Sequence, residues 1–449
     1  MVHDMRKYRK IAAIACPAAL ESLVSVAVIS IDTKMVAALG KPAVSAVALA
    51  AQPKLFFLSI FFALGIAVSV FVAQAYGKGN REEANGYFIS ILKIAILLAI
   101  LLGCLFAFIS EPFMHLCSRQ TETVAMSATF FEIVMGFVVF QAVSIVINGA
   151  LRGLGKTNVT FVSSLALAAV DILFNYLLIE GRYGFPRLEV AGNGIATVMG
   201  TAAACGVGLA VLLRHPDFLS LKGFWGHRLL ADKGILLQIR TKAGNTVFEN
   251  LAMRTGFLLT SIVVSTLPAS ETAVYFVAMI LMNCSFAFGD GMQSAVVALV
   301  GRSIGAGAFD EAREYFRLSL RSGLALSILL GAAYIGGSDW FFQGFFSDQE
   351  AITRGRTASI FAAIISCLQI VRIISVAAMR GTGDMKTPRQ VASFCVLVLN
   401  PGLSFLFACL LGMGSLGIWQ AILASQAAWT ALTLPRAGDR MKSLENCTQ

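Results

Sequence analysis

The chain has 449 residues, 57% of them hydrophobic and only 13% charged, with a formal net charge of +10 and a mean hydropathy of +0.78. Soluble domains run at about 25% charged residues, so a chain this long cannot clothe its surface for water. That excludes a soluble enzyme, a disordered chain and a nucleic-acid binder, and leaves an integral membrane protein of many spans.

A helix needs about 20 apolar residues to cross the hydrocarbon core. Twelve such stretches follow one another at roughly 11–38, 45–75, 87–110, 125–150, 158–180, 190–213, 243–267, 272–300, 316–337, 358–379, 391–412 and 415–434. The expected fold is therefore an all-α membrane bundle of twelve transmembrane helices. The stretches are too long for barrel strands of about ten alternating residues. Arg6, Lys7, Arg9 and Lys10 precede a first stretch too long for a signal peptide.

Charge sets the expected orientation. With the N-terminus inside, twenty-four of the 35 Lys and Arg fall in inside segments and six in outside loops. The remaining five, Lys34, Lys54, Lys93, Arg254 and Arg372, lie in or at the ends of spans. This asymmetry predicts both termini on the cytoplasmic side of a plasma (inner) membrane. The nine cysteines are scattered without a CxxC pair, and the four histidines show no metal-ligand spacing. No prosthetic group and no nucleic-acid partner are expected; the lipid bilayer is the one certain contact.

The longest inside connection, 214–242, divides the chain into halves at 1–213 and 243–449. It ends in a basic amphipathic piece, Arg228 to Arg240, of the kind that lies along a membrane surface. The halves repeat. Leu151-Arg152-Gly153-Leu154-Gly155-Lys156-Thr157 follows the fourth stretch, and Met379-Arg380-Gly381-Thr382-Gly383 follows the tenth. Gln141 and Gln369 stand eleven residues before the two arginines. Gly77-Lys78-Gly79 is matched by Gly305-Ala306-Gly307, and Glu21 by Glu249, which sets Thr260 opposite Asp32. Order and side agree throughout, so the repeat is parallel, six helices to each half, as in many transporters. Gly155-Lys156-Thr157 imitates the end of a phosphate-binding loop, but its first glycine is replaced by Ala150 and a span precedes it. Without a nucleotide site, uphill transport falls to an ion gradient.

A carboxylate inside a span is costly and marks function by default. The candidates are Glu21, Asp32, Glu132, Asp171, Glu249 and Asp290. Burial favours the neutral form of a carboxylate, so such a group can hold a proton or a cation, as an antiporter requires. Asp171 and Asn175 share one helix face at i, i+4. The alternative is that these groups only bridge helices. Glu132 lies near the outer end of its span, where a solvated acid is the simpler reading. An uncompensated buried arginine is improbable, so two readings stand side by side: Arg254 or Arg372 pairs with Glu249 or Asp290 as a structural ion pair, or Glu249 serves in coupling. The Arg-Gly-x-Gly loops are expected to be structural, with Arg152 and Arg380 on helix-end carbonyls or lipid phosphates.

The ordered set of Asp32-Thr33, Gln74 with Gly77, the two Arg-Gly-x-Gly loops and Asn175 before a glycine-containing loop resembles the multidrug and toxic compound extrusion family. The resemblance implies two six-helix lobes around a central cavity. It also implies export of organic, often cationic, drug-like compounds in exchange for Na⁺ or H⁺ by alternating access, with no enzymatic activity. Asp32 matches the family's first-span aspartate and Glu249 its seventh-span glutamate. The chain departs from the pattern twice. Asp171 precedes Asn175 where the family branch has Asn before Asp, and Gln369 replaces a tenth-span aspartate. The expected coupling and substrate residues are thus Asp32, Asp171, Asn175, Glu249 and Gln369, with Asp32, Asp171 and Asn175 as the place for a Na⁺ ion. A monomer is the expected functional unit. The rival reading is a flippase for lipid-linked oligosaccharides or polysaccharides, which would favour a cavity rich in Arg and Lys; only Arg254 and Arg372 lie deep in spans.

Overall fold

The computed structural model describes residues 2–117, 121–214, 219–221, 224 and 233–446. Its helices are α1 (Val2–Ala37), α2 (Lys41–Gly77), α3 (Arg81–Cys117), α4 (Thr121–Gly136), α5 (Val138–Gly153), α6 (Thr157–Leu178) and α7 (Glu189–Arg214) in the first half. The second half holds α8 (Lys233–Ser265), α9 (Ala269–Gly305), α10 (Phe309–Gly336), α11 (Ser338–Gln343), α12 (Gln349–Gly381), α13 (Lys386–Ala392), α14 (Asn400–Phe405) and α15 (Gly414–Asn446). No strand occurs among the described residues. With no water in the hydrocarbon, each segment must satisfy its own backbone, and the α-helix does so.

Among the described residues, ten helical segments are long and apolar enough to cross a membrane, and α4 with α5, bent by 50°, makes an eleventh if taken as one span. The twelfth expected span, 415–434, is helical within α15 but falls outside that set. Its polarity is spent inward. Ser425 donates to the Cys395 carbonyl at 2.7 Å, Thr430 to Leu368 at 3.1 Å, and Gln426 accepts from Arg372 at 3.0 Å. A helix that supplies hydrogen bonds to its neighbours cannot read as uniformly apolar.

The chain forms two compact units, Leu20–Ala243 and Met1–Ala19 with Gly244–Gln449. The first nineteen residues thus group with the C-terminal half; the division in α1 falls just past Pro17, whose missing N–H interrupts the helix ladder. Much of the expected amphipathic piece, residues 225–232, lies outside the described residues. Its remainder, from Lys233, is the first part of α8 rather than a separate segment.

In the N-terminal unit, glycines let backbones meet. A Cβ on Gly149 would strike the Gly65 carbonyl, and one on Gly153 the Ser69 carbonyl, so α5 lies directly on α2. The buried core there includes Phe61, Phe88, Phe106 and Phe131, with Phe57, Phe106 and Phe131 meeting edge to face at ring separations of 4.7 and 4.8 Å. In the C-terminal unit, Trp419 packs 5.5 Å from Tyr275, and Trp429 is almost wholly buried. Two π-helical stretches, Ser393–Leu399 and Leu406–Leu410, flank α14. Pro401, in the first turn of α14, offers no N–H to the preceding turn. Such π-bulges recur at functional positions in helices.

Candidate functional site

The N-terminal unit gathers its buried acids around one amide. Asp171 and Asn175 stand one turn apart on α6, 2% and 0% exposed. Asn175 Nδ2 donates to Asp32 Oδ1 of α1 at 3.0 Å and to Asp171 Oδ2 at 3.3 Å. Its own Oδ1 accepts from Asn193 Nδ2 of α7 at 3.0 Å. Asn175 therefore orients both carboxylates and is itself oriented by a fourth side chain. Asp171 Oδ1 is buried and takes no hydrogen bond, while Asp32 is half-buried. Gly200 of α7 packs against the Asp171 side chain, where a Cβ would lie 2.9 Å from Asp171 Cβ.

Lys54 of α2 and Thr197 of α7 complete this cluster. The Lys54 charge acts on both carboxylates, and its Nζ stands 5.5 Å from the Phe130 ring centre. Thr197 donates its hydroxyl to the Asn193 carbonyl at 3.0 Å and stands beside Asp171. Sequence reasoning missed Asn193 as a member and counted Lys54 only as a span charge. The i, i+4 spacing of Asn193 and Thr197 on one face of α7 was the available signal. A recess of about 160 Å³ opens at Asn175, lined also by Met35, Tyr176, Ile179 and Glu180. On its rim, the Arg182 guanidinium lies 4.3 Å from the Tyr176 ring centre. Hydrogen bonds to Glu180 first, and then to Tyr176, hold Arg182 above its usual basic range.

In the C-terminal unit the expected partners change. Glu249 of α8 is 1% exposed, and its Oε1 accepts from Arg380 at 2.9 Å. Arg254 and Arg372 were the expected partners; among the described residues neither forms an ion pair with Glu249 or Asp290. Arg254 is exposed on α8. Arg372 instead lies 3.8 Å from the Trp429 ring centre, with its Nε donating to Gln426. The other acid, Asp290, accepts from Gln293 at 3.2 Å, and Gln293 accepts in turn from Arg380 at 2.9 Å. Gln369 is 5% exposed, and its Oε1 has no partner.

The arginines of the two glycine loops each pair with a buried glutamate, a partner that their expected place on helix-end carbonyls or lipid phosphates did not include. Arg152 donates to Glu21 at 2.7 Å, and Thr160 donates to the other Glu21 oxygen at 2.7 Å. The Arg380–Glu249 pair spans the same 131 residues as the Arg152–Glu21 pair. The glycines behave as expected of tight turns: Gly155 and Gly383 adopt φ of 74° and 88°. Glu132, the outer acid, is exposed on α4.

Comparison with known proteins places this geometry. The MatE family model matches residues 17–177 and 246–406, one match in each half. Among curated relatives, the probable multidrug resistance protein NorM of Pseudomonas putida is 27% identical, over 94% of this chain and 92% of its own length. NorM of Thermotoga maritima, described in the same words, is 22% identical over 94% and 90%. Among solved structures, a MATE complex with MaL6 superposes with a TM-score of 0.90 at 17% identity, covering 98% of this chain and 97% of its own. A MOP superfamily transporter of Pyrococcus furiosus, described as having a binding pocket of reverse polarity, reaches 0.89 at 16%, with 98% and 97% covered. At these identities the structural likeness speaks to fold alone. The two family-model matches take in most of the sequence, and with the repeated helical halves they show that the chain belongs to the MatE family of multidrug and toxic compound extrusion transporters.

Proposed function

We propose that this transporter is a secondary antiporter that exports organic, drug-like cations across the plasma membrane in exchange for Na⁺ or H⁺, with both termini cytoplasmic. The observation that carries the reading is the buried cluster in which Asn175 bonds Asp32 and Asp171 together while Asp171 Oδ1 stays unpartnered. A carboxylate oxygen stripped of water and left without a donor is poised to take a proton or a cation. The two carboxylates are close enough to share one positive charge. A coupling ion and a cationic substrate that compete for that charge cannot both be held. This mutual exclusion is what exchange requires, because binding of one releases the other as the site alternates its access.

Each side chain then has a role. Asp32, the more open of the two acids, meets the incoming charge. Asp171 shares it in the interior, and Asn175, fixed by Asn193, keeps the two carboxylates in register. The Lys54 ammonium limits the negative charge of the empty site. If the coupling ion is Na⁺, the hard carboxylate oxygens of Asp32 and Asp171 suit it. Asn175 spends its oxygen on Asn193, so it would orient these ligands rather than add one.

Proteoliposomes with an imposed Na⁺ or H⁺ gradient test the reading. A cationic dye should leave against its concentration in wild type, and Asp32→Asn should abolish this at unchanged melting temperature. Normal gradient-driven efflux by that variant would remove Asp32 from the coupling site.

A further inference from the structure

Arg372 is a buried charge within a span that has no part in the cluster described above. It sits within α12, 7% exposed. Its guanidinium lies 3.8 Å from the ring centre of Trp429, and Nε donates to Gln426 Oε1 at 3.0 Å. These two contacts fix the plane of the group and one edge of it. The opposite edge carries the two terminal nitrogens. Among the described residues they donate to no protein acceptor, and neither is completely buried.

The electrostatics agree with an open position. Glu249 and Arg380 both act on Arg372, but the Glu249 carboxylate is already bonded to Arg380. Asp290 bonds Gln293. One carboxylate near two guanidiniums leaves a positive charge without a counter-charge. A buried arginine is expensive in a membrane and marks a site by default. Trp429 and Gln426 hold this one ready, because a guanidinium with its plane and one edge fixed presents its remaining edge as a two-pronged donor matched to a planar oxyanion. The repeat sharpens the point. Arg372 lies three residues beyond Gln369, and the first half has Ser144 three residues beyond Gln141. The charge is therefore an addition peculiar to the second half and not part of the shared scaffold.

We propose that the free edge of Arg372 binds an oxyanion, a carboxylate or phosphate, within the C-terminal half. Resting on the export reading above, this gives the acidic group of a transported molecule a place in the C-terminal half. Gln369, one turn away with its Oε1 unpartnered, supplies an acceptor for a hydroxyl or ammonium beside that acid. The same fork could take the phosphate of a lipid headgroup, and the test separates the two sources.

Rhodamine B carries a free carboxylate and a cationic ring system; its ethyl ester keeps the rings and blocks the acid. Binding of both dyes is measured by fluorescence anisotropy on the full chain in phosphatidylcholine nanodiscs, and gradient-driven efflux of both in proteoliposomes. Arg372→Gln should weaken rhodamine B by about tenfold or more, the worth of a charge-assisted hydrogen bond, and leave the ester within about twofold. Gln426→Leu, which frees only Nε, should produce a smaller loss with the same preference and stands in if Arg372→Gln does not fold. Equal weakening of both dyes, or none for rhodamine B, overturns the proposal. Wild type that binds the dyes but exports neither would defeat the export reading, while the anisotropy arm still decides the oxyanion site. Added phosphatidylglycerol that displaces rhodamine B from wild type supports the site with a lipid phosphate as occupant. Lack of displacement supports the carboxylate of the transported molecule.

Discussion

The two halves agree where they build and differ where they carry charge. Each has a buried Glu–Arg pair between its first helix and its glycine loop, at 2.7 Å in the first half and 2.9 Å in the second. Each closes equivalent turns on left-handed glycines, Gly79 with Gly307 and Gly155 with Gly383, at φ of 70°, 71°, 74° and 88°. The acids outside those pairs do not repeat. Asp32 faces Asn175 in the first half; in the second, Thr260 stands in its place and accepts from Asn400 at 3.0 Å, with no carboxylate. Conversely, Arg372 has only Ser144 as its counterpart. What duplication kept is scaffold, and what diverged is chemistry. By that measure Glu249, for all its burial, groups with the repeated scaffold, and the coupling site proposed above rests on Asp32 and Asp171.

The largest expected effect breaks a scaffold pair. Removing one partner of a buried ion pair costs about 3–5 kcal/mol because the other charge is left behind. Glu249→Ala should therefore lose most of its folded yield and melt far earlier by thermal size-exclusion, and Glu249→Leu with Arg380→Met should recover most of the loss. The side chains of Glu249 and Arg380 are 2% and 4% exposed, whereas that of Arg152 is 28% exposed. Glu21→Ala should cost visibly less, and equal losses would erase this distinction between the halves.

Close packing offers a second comparison. Gly153→Ala drives a methyl into the Ser69 carbonyl, and overpacking of this kind costs about 1–3 kcal/mol. The matching Gly381→Ala places its methyl 3.0 Å from Val300 Cγ1, a side chain that can give way. Its melting temperature should fall less than that of Gly153→Ala; the reverse order would show that the loops are not packed as described.

A smaller effect separates the two amides. Asn193→Ala strands the buried Asn175 oxygen and should cost about 1–2 kcal/mol, with slower gradient-driven efflux. Asn400→Ala leaves the Thr260 hydroxyl bonded to the Gly256 carbonyl at 3.0 Å. It should cost about 1 kcal/mol or less and leave the dependence of efflux on the imposed gradient intact.

Much of the fold was legible because membrane burial writes long apolar runs and a parallel repeat directly into the sequence. The meeting of Asp32 with Asp171 and Asn175 was legible in part, since helical spacing sets which residues of α6 share a face. Partner choice was not. Arg254 and Arg372 lie nearer in sequence to the middle of spans than Arg380, yet it is Arg380, buried in the last turn of α12, that reaches Glu249. Spacing along one helix does not reveal which neighbour that face meets, and for the same reason Asn193 and Lys54 went unassigned. The twelfth stretch, counted in the sequence, is less apolar than the rest because Ser425, Gln426 and Thr430 serve interior hydrogen bonds.

The most direct test sets one acid of each half against the other in a single assay. Asp32→Asn and Glu249→Gln are reconstituted at equal folded protein, and dye efflux is followed under the gradient that drives wild type. The account predicts that Asp32→Asn loses gradient-driven efflux, while Glu249→Gln, once corrected for its lower folded yield, retains it. Efflux that survives Asp32→Asn and vanishes with Glu249→Gln would place the coupling chemistry in the C-terminal half and contradict the account.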